Sequence, residues 1–245
     1  MSITTTPPPG TTIDPLYPDS DGKPMGETGL HVIAILELFG SLRRHFKSRQ
    51  DIYVAADMFL YYEQGNPRAC KAPDVMVAKG IHGKHERRSF RVWEEKAVPT
   101  VAFEVTSAKS RCEDAVEKPR AYAQVGIAEY FIFDPLDEYL RPRLQGFRLG
   151  PNGYESLSPD DDGRLLSHEL GLLLAPEGAL LRLIDSRTGA ALPSLAEVDR
   201  QAAQASEANR AMKQAQRDTE RANERAARVE EELKRLRGQA GQADA

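Results

Sequence analysis

Two carboxylates draw attention because of where they fall. Asp74 opens a short run, Asp74 to Ala78, that reads as a strand. Glu104 lies in Phe103-Glu104-Val105, near the end of the apolar run Val101 to Val105. A carboxylate in an apolar strand is costly unless a cation or hydrogen-bond donor compensates it. Two of them on neighbouring strands can converge on one divalent cation. Hard Mg²⁺ takes a few carboxylate oxygens and keeps waters, one of which can become a nucleophile. A structural reading competes, in which Asp74 caps a turn and Glu104 pairs with a nearby Arg or Lys. Spacing alone leaves both open, since Pro-Asp followed by a distant Glu is a common pattern.

Other chemistry-bearing side chains are less pointed. His82 and His85 stand three apart in a Gly-containing basic loop, without the second Cys or His pair that zinc requires. His31, a lone histidine, reads as packing or surface. The segment from Lys79 to Lys96 is strongly basic and carries Lys84, Arg87, Arg88 and Arg91 beside the only tryptophan, Trp93. These four cations are the candidate contacts to a nucleic-acid backbone; a solvated loop without a partner is the alternative. The formal net charge of -4 argues against indiscriminate, tight binding to nucleic acid.

The elements that must position these residues can be read from periodicity. Leu30, Ile33, Leu36, Leu42 and Phe46 recur near helical spacing, with Arg43, Arg44 and Lys47 in the last turns, which predicts a first helix. Ile52 to Tyr62 reads as one strand, Gly65-Asn66-Pro67 as a turn, and Val101 to Val105 as a fully buried strand. Ser110 and Glu113 have the spacing of a capping box, so a helix should start there and end at Gly126. Pro119 falls well inside that helix and should bend it. Tyr130 to Phe133 is the next buried strand, and strand-helix-strand order makes it parallel to the previous one. Beyond it, Pro151-Asn152-Gly153 and the region of Pro176 and Gly178 mark two hairpins.

The 245 residues divide by composition into a Pro- and Thr-rich stretch over 1–25, read as a mobile arm, a globular part over 26–185 and a charged helical tail over 195–238. In the tail, Ala208, Met212, Ala215, Thr219, Ala222, Ala226, Val229, Leu233 and Leu236 alternate in steps of four and three. That is a thin heptad seam, readable as a self-associating coiled coil and homo-oligomer contact, or as a lone solvated helix. Only two cysteines, Cys70 and Cys112, are present, which excludes a disulfide framework. No apolar run is long enough for a membrane span, and the N-terminus lacks the regions of a signal peptide, so a soluble cytoplasmic protein is expected.

Several stretches together resemble the Uma-two family of restriction-endonuclease-like proteins. They are Asp21-Gly22-Lys23-Pro24-Met25, Leu60 to Pro67, Ala72-Pro73-Asp74-Val75, Trp93-Glu94-Glu95, Glu104-Val105-Thr106-Ser107 with Arg111, Asp114, Glu117 and Lys118, then Glu129-Tyr130-Phe131, Asp134-Pro135 and Pro142 to Gly146. The resemblance covers about Gly22 to Asp185. It implies an α/β (α+β) fold of the PD-(D/E)xK type: a mixed central sheet flanked by helices, here with a long C-terminal helix. It also implies a Mg²⁺ or Mn²⁺ site at Asp74 and Glu104, with the Val105 carbonyl as a neutral ligand. Thr106 stands where the motif lysine belongs, and the resemblance points instead to Lys118 on the following helix, with Lys109 as the local competitor. An acid on the first helix often completes such sites, which makes Glu27 a candidate third carboxylate; a favourable charge at a helix N-terminus is its other reading.

Two functions follow as expectations. One is a Mg²⁺-dependent endonuclease hydrolysing phosphodiester bonds in DNA, with Asp74, Glu104 and Lys118 catalytic. The other is a catalytically silent nuclease-like fold acting as a nucleic-acid- or protein-binding assembly module through its tail. Convergence of Asp74, Glu104 and Lys118 on one point distinguishes them.

Overall fold

The computed structural model describes residues 8–11, 14–20, 28–81, 83 and 85–243. By contact the chain forms two compact units, Met1–Leu195 and Ala196–Ala245. The first is mixed α+β. Helix α1 (Gly29–His45) leads to β1 (Ile52–Ala56), β2 (Leu60–Tyr61), β3 (Cys70–Lys71), β4 (Val75–Lys79), β5 (Phe90–Arg91), the short α2 (Val92–Glu95) and β6 (Pro99–Val105). A π-helical turn (Glu113–Glu117) runs into α3 (Lys118–Val125). Strands β7 (Glu129–Phe133), β8 (Leu144–Gly150), β9 (Gly153–Ser156), β10 (Leu165–Ser167), β11 (Leu172–Glu177) and β12 (Leu180–Asp185) follow, before α4 (Leu195–Ala243).

The main sheet has the order β1-β4-β6-β7-β8-β9. All neighbours are antiparallel except β6 and β7, which are joined through the helical segment and run parallel, as the strand-helix-strand order predicts. Because side chains alternate across a strand, each central strand feeds two cores. Val75, Val77, Val101, Phe103, Phe131 and Phe133 pack toward α1 and the β10-β11-β12 sheet. Met76, Ala78, Ala102, Tyr130 and Ile132 pack on the other face with Tyr122 of α3.

Local differences from the sequence expectation have identifiable causes. In α1 the inward stripe is His31, Ala34, Glu37, Leu38, Ser41 and Leu42, while Leu30, Ile33 and Leu36 are 45%, 51% and 51% exposed. The polar residues face inward because they have partners there: Glu37 accepts from the Leu195 N–H and Ser41 donates to the Pro193 carbonyl. The single strand expected over Ile52 to Tyr62 is broken at Asp57, whose φ of 47° is left-handed; β2 then joins a separate β3-β2-β5 sheet. Helix capping also shifts by three residues. Ser107 and Ser110 exchange bonds, each backbone N–H donating to the other's Oγ, and Glu113 instead pairs with Lys71 at 2.8 Å. Gly126 ends α3 at φ 92°, and the N–H groups of Gly126 and Ile127 both reach the Tyr122 carbonyl.

Part of the stretch expected to be a mobile arm is docked. Tyr17 is 7% exposed against Tyr61 and Trp93, and Tyr61 donates to the Pro18 carbonyl. Cys70 and Cys112 are free thiols. Among the described residues no helix is long and apolar enough to cross a membrane. Taken by itself, α4 is a continuous helix of 49 residues.

One buried acid joins the two sheets. Glu129, fully buried, accepts from Arg148 at 3.0 Å, Ser167 Oγ at 2.5 Å, the His168 N–H at 3.0 Å and the Glu169 N–H at 3.3 Å. Removing it orphans several buried donors at once, so Glu129→Ala should lower stability by about 3 kcal/mol. Urea unfolding should show this as a lower midpoint at unchanged slope. Gly146 has a different constraint: a Cβ there would meet Phe131 at 2.7 Å and Leu165 at 2.9 Å. Gly146→Ala should cost about 1–3 kcal/mol in the same assay, because this close-packed core has no room to give.

Candidate functional site

The register of β4 and β6 decides where the two carboxylates stand. Val75 pairs with Phe103 and Met76 with Ala102. One step further, Asp74 is opposite Glu104, and directly opposed residues project from the same face. That face is the one carrying Met76, Ala102 and Tyr122. The two sheet faces therefore do not separate the pair.

Asp74 is held from several sides. Its Oδ2 accepts from the Val105 N–H at 2.6 Å, its own carbonyl accepts from the Asp57 N–H at 3.1 Å, and His31 Nε2 lies 3.6 Å from Oδ2. The residue expected to lend a carbonyl, Val105, thus fixes the neighbouring carboxylate through its amide. Glu104 is deeper, with no solvent-exposed side-chain surface. Tyr122 Oη donates to Oε1 at 2.7 Å and Lys118 Nζ donates to Oε2 at 2.6 Å.

Lys118 reaches Glu104 because of the π turn. Its backbone N–H bonds to the Glu113 carbonyl, five residues back, which admits one extra residue to the turn. Pro119 then falls in the first turn of α3, where its missing N–H costs little. The bend expected inside a helix is replaced by a π-to-α junction. Asp114 and Lys118 share this face at a spacing of four, with Asp114 Oδ1 2.9 Å from Nζ. The Asp114 side chain is 1% exposed, and neither carboxylate oxygen makes a hydrogen bond among the described residues. Tyr130 Oη donates to the Asp114 carbonyl at 2.6 Å.

The electrostatics follow from three carboxylates around one ammonium. Burial pushes the Glu104 carboxyl well above the usual carboxylate range; Lys118 opposes this, and the charges of Asp74 and Asp114 add to it. Burial alone would lower the Lys118 ammonium, but Glu104, Asp114 and Asp74 outweigh it and hold the group above the usual lysine range. Burial, then the Glu104 charge, raises the Tyr122 phenol. The two members of the Glu104–Lys118 pair shift upward for different reasons: burial raises the carboxyl, and the surrounding carboxylates raise the ammonium against burial.

A cleft of about 330 Å³ adjoins this centre, lined by Thr28, His31, Ser107, Lys109, Pro135 and Tyr139 among others. Thr106, at the motif lysine's position, also lines it. Its side chain is too short to carry charge to Glu104, and its Oγ1 is buried without a hydrogen-bond partner among the described residues. Lys109 belongs to the cleft wall rather than to the Glu104 cluster. Glu27 and Lys84 lie outside the described residues, as does His82. Among the described residues no group of three or more His, Cys, Asp or Glu is gathered to hold a metal ion. Two acids remain a sufficient protein share for Mg²⁺, which commonly keeps waters and binds through one or two carboxylates.

The basic segment is a correction. Arg87, expected to contact nucleic acid, has no exposed side-chain surface; it donates to both oxygens of Glu95 at 2.5 and 3.0 Å and lies over the Tyr53 ring. Arg91 is 4% exposed and paired with Glu94 at 2.9 Å and Asp14 at 3.4 Å. Arg88 is more open but pairs with Asp19. Arg87 and Arg91 cement the small sheet to its surroundings and cannot reach a phosphate backbone.

Sequence reasoning gave no role to Tyr122, Asp114 or His31. For the first two a signal exists: Asp114, Lys118 and Tyr122 are spaced by four, which on a helix makes one face. His31 carries no comparable mark.

Over residues 19–180, more than half of its length, the chain matches the Uma2 family, described as "Putative restriction endonuclease". One similar solved structure is a "putative nuclease" of DUF820 from Anabaena variabilis; it is 16% identical with a TM-score of 0.45, covering 62% of this chain and 80% of that one. No curated protein matches. By that match the chain belongs to the Uma2 family of restriction-endonuclease-like proteins.

Proposed function

We propose that this protein is a divalent-metal-dependent endonuclease that hydrolyses phosphodiester bonds in DNA. The observation that carries the reading is Asp74, just before β4 and bonded to the Val105 N–H, beside Glu104 on the adjacent β6, with the Lys118 ammonium 2.6 Å from Glu104. Asp74, Glu104 and the Val105 carbonyl would hold Mg²⁺ or Mn²⁺, with Glu27 as the further acid that the family resemblance implies. A cation bound there supplies Lewis-acid polarisation of the phosphate and a water of lowered pKa.

The protein's own groups do the rest. The Val105 N–H fixes the direction of Asp74, and Tyr122 fixes that of Glu104, so neither carboxylate pays for reorientation when it binds a ligand. Lys118, 11% exposed at its side chain, orients the attacking water and stabilises charge developing on the phosphate oxygens. The cleft lined by His31 and Lys109 would seat the phosphate-bearing strand beside Asp74, whose Oδ2 is 3.6 Å from His31.

Supercoiled plasmid incubated with the protein and Mn²⁺ should be nicked or linearised, and EDTA should stop the reaction. Glu104→Gln, which keeps the shape but removes the charge, should lower the rate at least about 100-fold. Lys118→Met should fall comparably, whereas Lys109→Met should retain most of the rate. Calorimetric titration should show Mn²⁺ binding to the wild type and none to Asp74→Ala. A wild type that binds no Mn²⁺ and cuts no nucleic acid would sink the reading.

The helical tail supports a second role alongside the first. Met212 and Val229 on the α4 seam are 57% and 58% exposed, leaving an apolar stripe open to a second copy of this chain. Light scattering on the full chain should give a homo-oligomer, and Val229→Glu should shift it toward the monomer. A wild type that is monomeric at all accessible concentrations removes this role.

A further inference from the structure

Glu104 presents a difficulty for any cation that is to bind it. Its side chain has no exposed surface, and each oxygen already has a partner, Tyr122 Oη on Oε1 and Lys118 Nζ on Oε2. Of the two partners Lys118 is the outer one, with 11% of its side chain exposed, while Tyr122 is wholly buried. An entering divalent cation therefore meets the ammonium first. Both are cations on the same carboxylate oxygen, and they compete for it.

Asp114 supplies what such an exchange requires. Its Oδ1 is already 2.9 Å from Nζ, its side chain is 1% exposed, and both of its oxygens are free of hydrogen bonds among the described residues. Buried carboxylates elsewhere in this protein are saturated with donors: Glu129 accepts from four residues and Asp134 from three backbone N–H groups. A buried acid already ion-paired with the ammonium, and with no hydrogen bond to its carboxylate among the described residues, can keep that ammonium when Glu104 gives it up. The π turn puts the two on one side of the helix and frames the geometry.

Building on the metal-site reading above, we propose that Lys118 is a resident counter-ion on Glu104 that a divalent cation displaces. Asp114 is the positioning residue that receives the displaced ammonium. Lys118 thus keeps Glu104 compensated before the metal arrives and stays charged after it. Leaning on Asp114, Nζ remains beside the metal-bound carboxylate, where it can face the phosphate. Asp114 touches neither metal nor substrate in this scheme; it acts through Lys118.

The test is Mn²⁺ affinity by calorimetry on the full chain, independent of cleavage. Lys118→Met removes the competitor and should bind Mn²⁺ at least ten-fold more tightly than the wild type. Asp114→Asn removes the receiving charge and should bind about ten-fold more weakly, while Asp114→Glu restores most of the affinity. In the Lys118→Met background, Asp114→Asn should change the affinity less than three-fold, because the partner it serves is gone. If Lys118→Met is poorly folded without metal, thermal melts read the same quantity: Mn²⁺ should raise its Tm more than it raises that of the wild type. Wild-type binding with unchanged or weakened binding by Lys118→Met overturns the proposal and leaves the metal site intact. Equal effects of Asp114→Asn in both backgrounds also overturn it, since they mark a general charge effect. Absence of Mn²⁺ binding by every variant overturns the metal site and this inference together.

Discussion

The organisation of the molecule depends on the cost of one buried carboxylate. Glu104 points from the centre of the main sheet into an apolar layer with no contact to solvent. A group so placed is tolerated only if other elements bring donors to it. Tyr122 and Lys118 do so from above the sheet, and both come from the single helix that crosses between β6 and β7. The crossover is therefore more than a connection. It has to deliver a hydroxyl and an ammonium to fixed points, and the π turn is the local distortion that makes both reach.

The other buried acids show what a purely structural carboxylate looks like here. Asp134 accepts the N–H groups of Leu136, Tyr139 and Leu140 and so shapes the loop after β7. Glu129 ties the main sheet to the β10-β12 sheet through Arg148, Ser167 and two backbone amides. Glu95 is matched to both guanidinium nitrogens of Arg87 that face it. In each case donors fill the lone pairs. Around Glu104 the balance is reversed: Asp74, Glu104 and Asp114 face one ammonium, and the Asp114 carboxylate, ion-paired with Lys118, accepts no hydrogen bond among the described residues. Saturated acids hold the fold together, and the unsaturated group forms the candidate centre. The same contrast explains why the basic segment misleads. Arg87 and Arg91 neutralise acids of their own protein and are buried with them.

Legibility in the sequence followed the strength of the local pattern. Central strands with continuous apolar runs, Val101 to Val105 and Tyr130 to Phe133, were readable because burial on both faces demands that composition. Their parallel pairing followed from the strand-helix-strand order, and Asp74 and Glu104 stood out as acids in apolar company. The inward face of α1 was not readable, because polar contacts to Asp74, the Leu195 N–H and the Pro193 carbonyl place His31, Glu37 and Ser41 where periodicity expects hydrophobic residues. The break at Asp57 rests on a single left-handed residue, which hydrophobic pattern does not register. Lys118 came from family resemblance alone. Its neighbours Asp114 and Tyr122 share its helical spacing, but Pro119 hid that face by suggesting a bend.

The migration of the lysine also has a physical logic. Residues two apart on a strand share a face, so a lysine at position 106 would lie on the same side of β6 as Glu104. Position 106 is instead a buried threonine whose backbone continues the β6-β7 ladder, its N–H bonded to the Phe133 carbonyl. A charge on a strand is fixed by the sheet and can shift only with a change of rotamer at one point. A charge on the helix above comes with companions at spacings of four, here an acid before it and a phenol after it. The helix position gives the ammonium two carboxylate partners, Glu104 and Asp114, at 2.6 and 2.9 Å. Moving the lysine to α3 thus exchanges a fixed charge for one that can be shared between two acids.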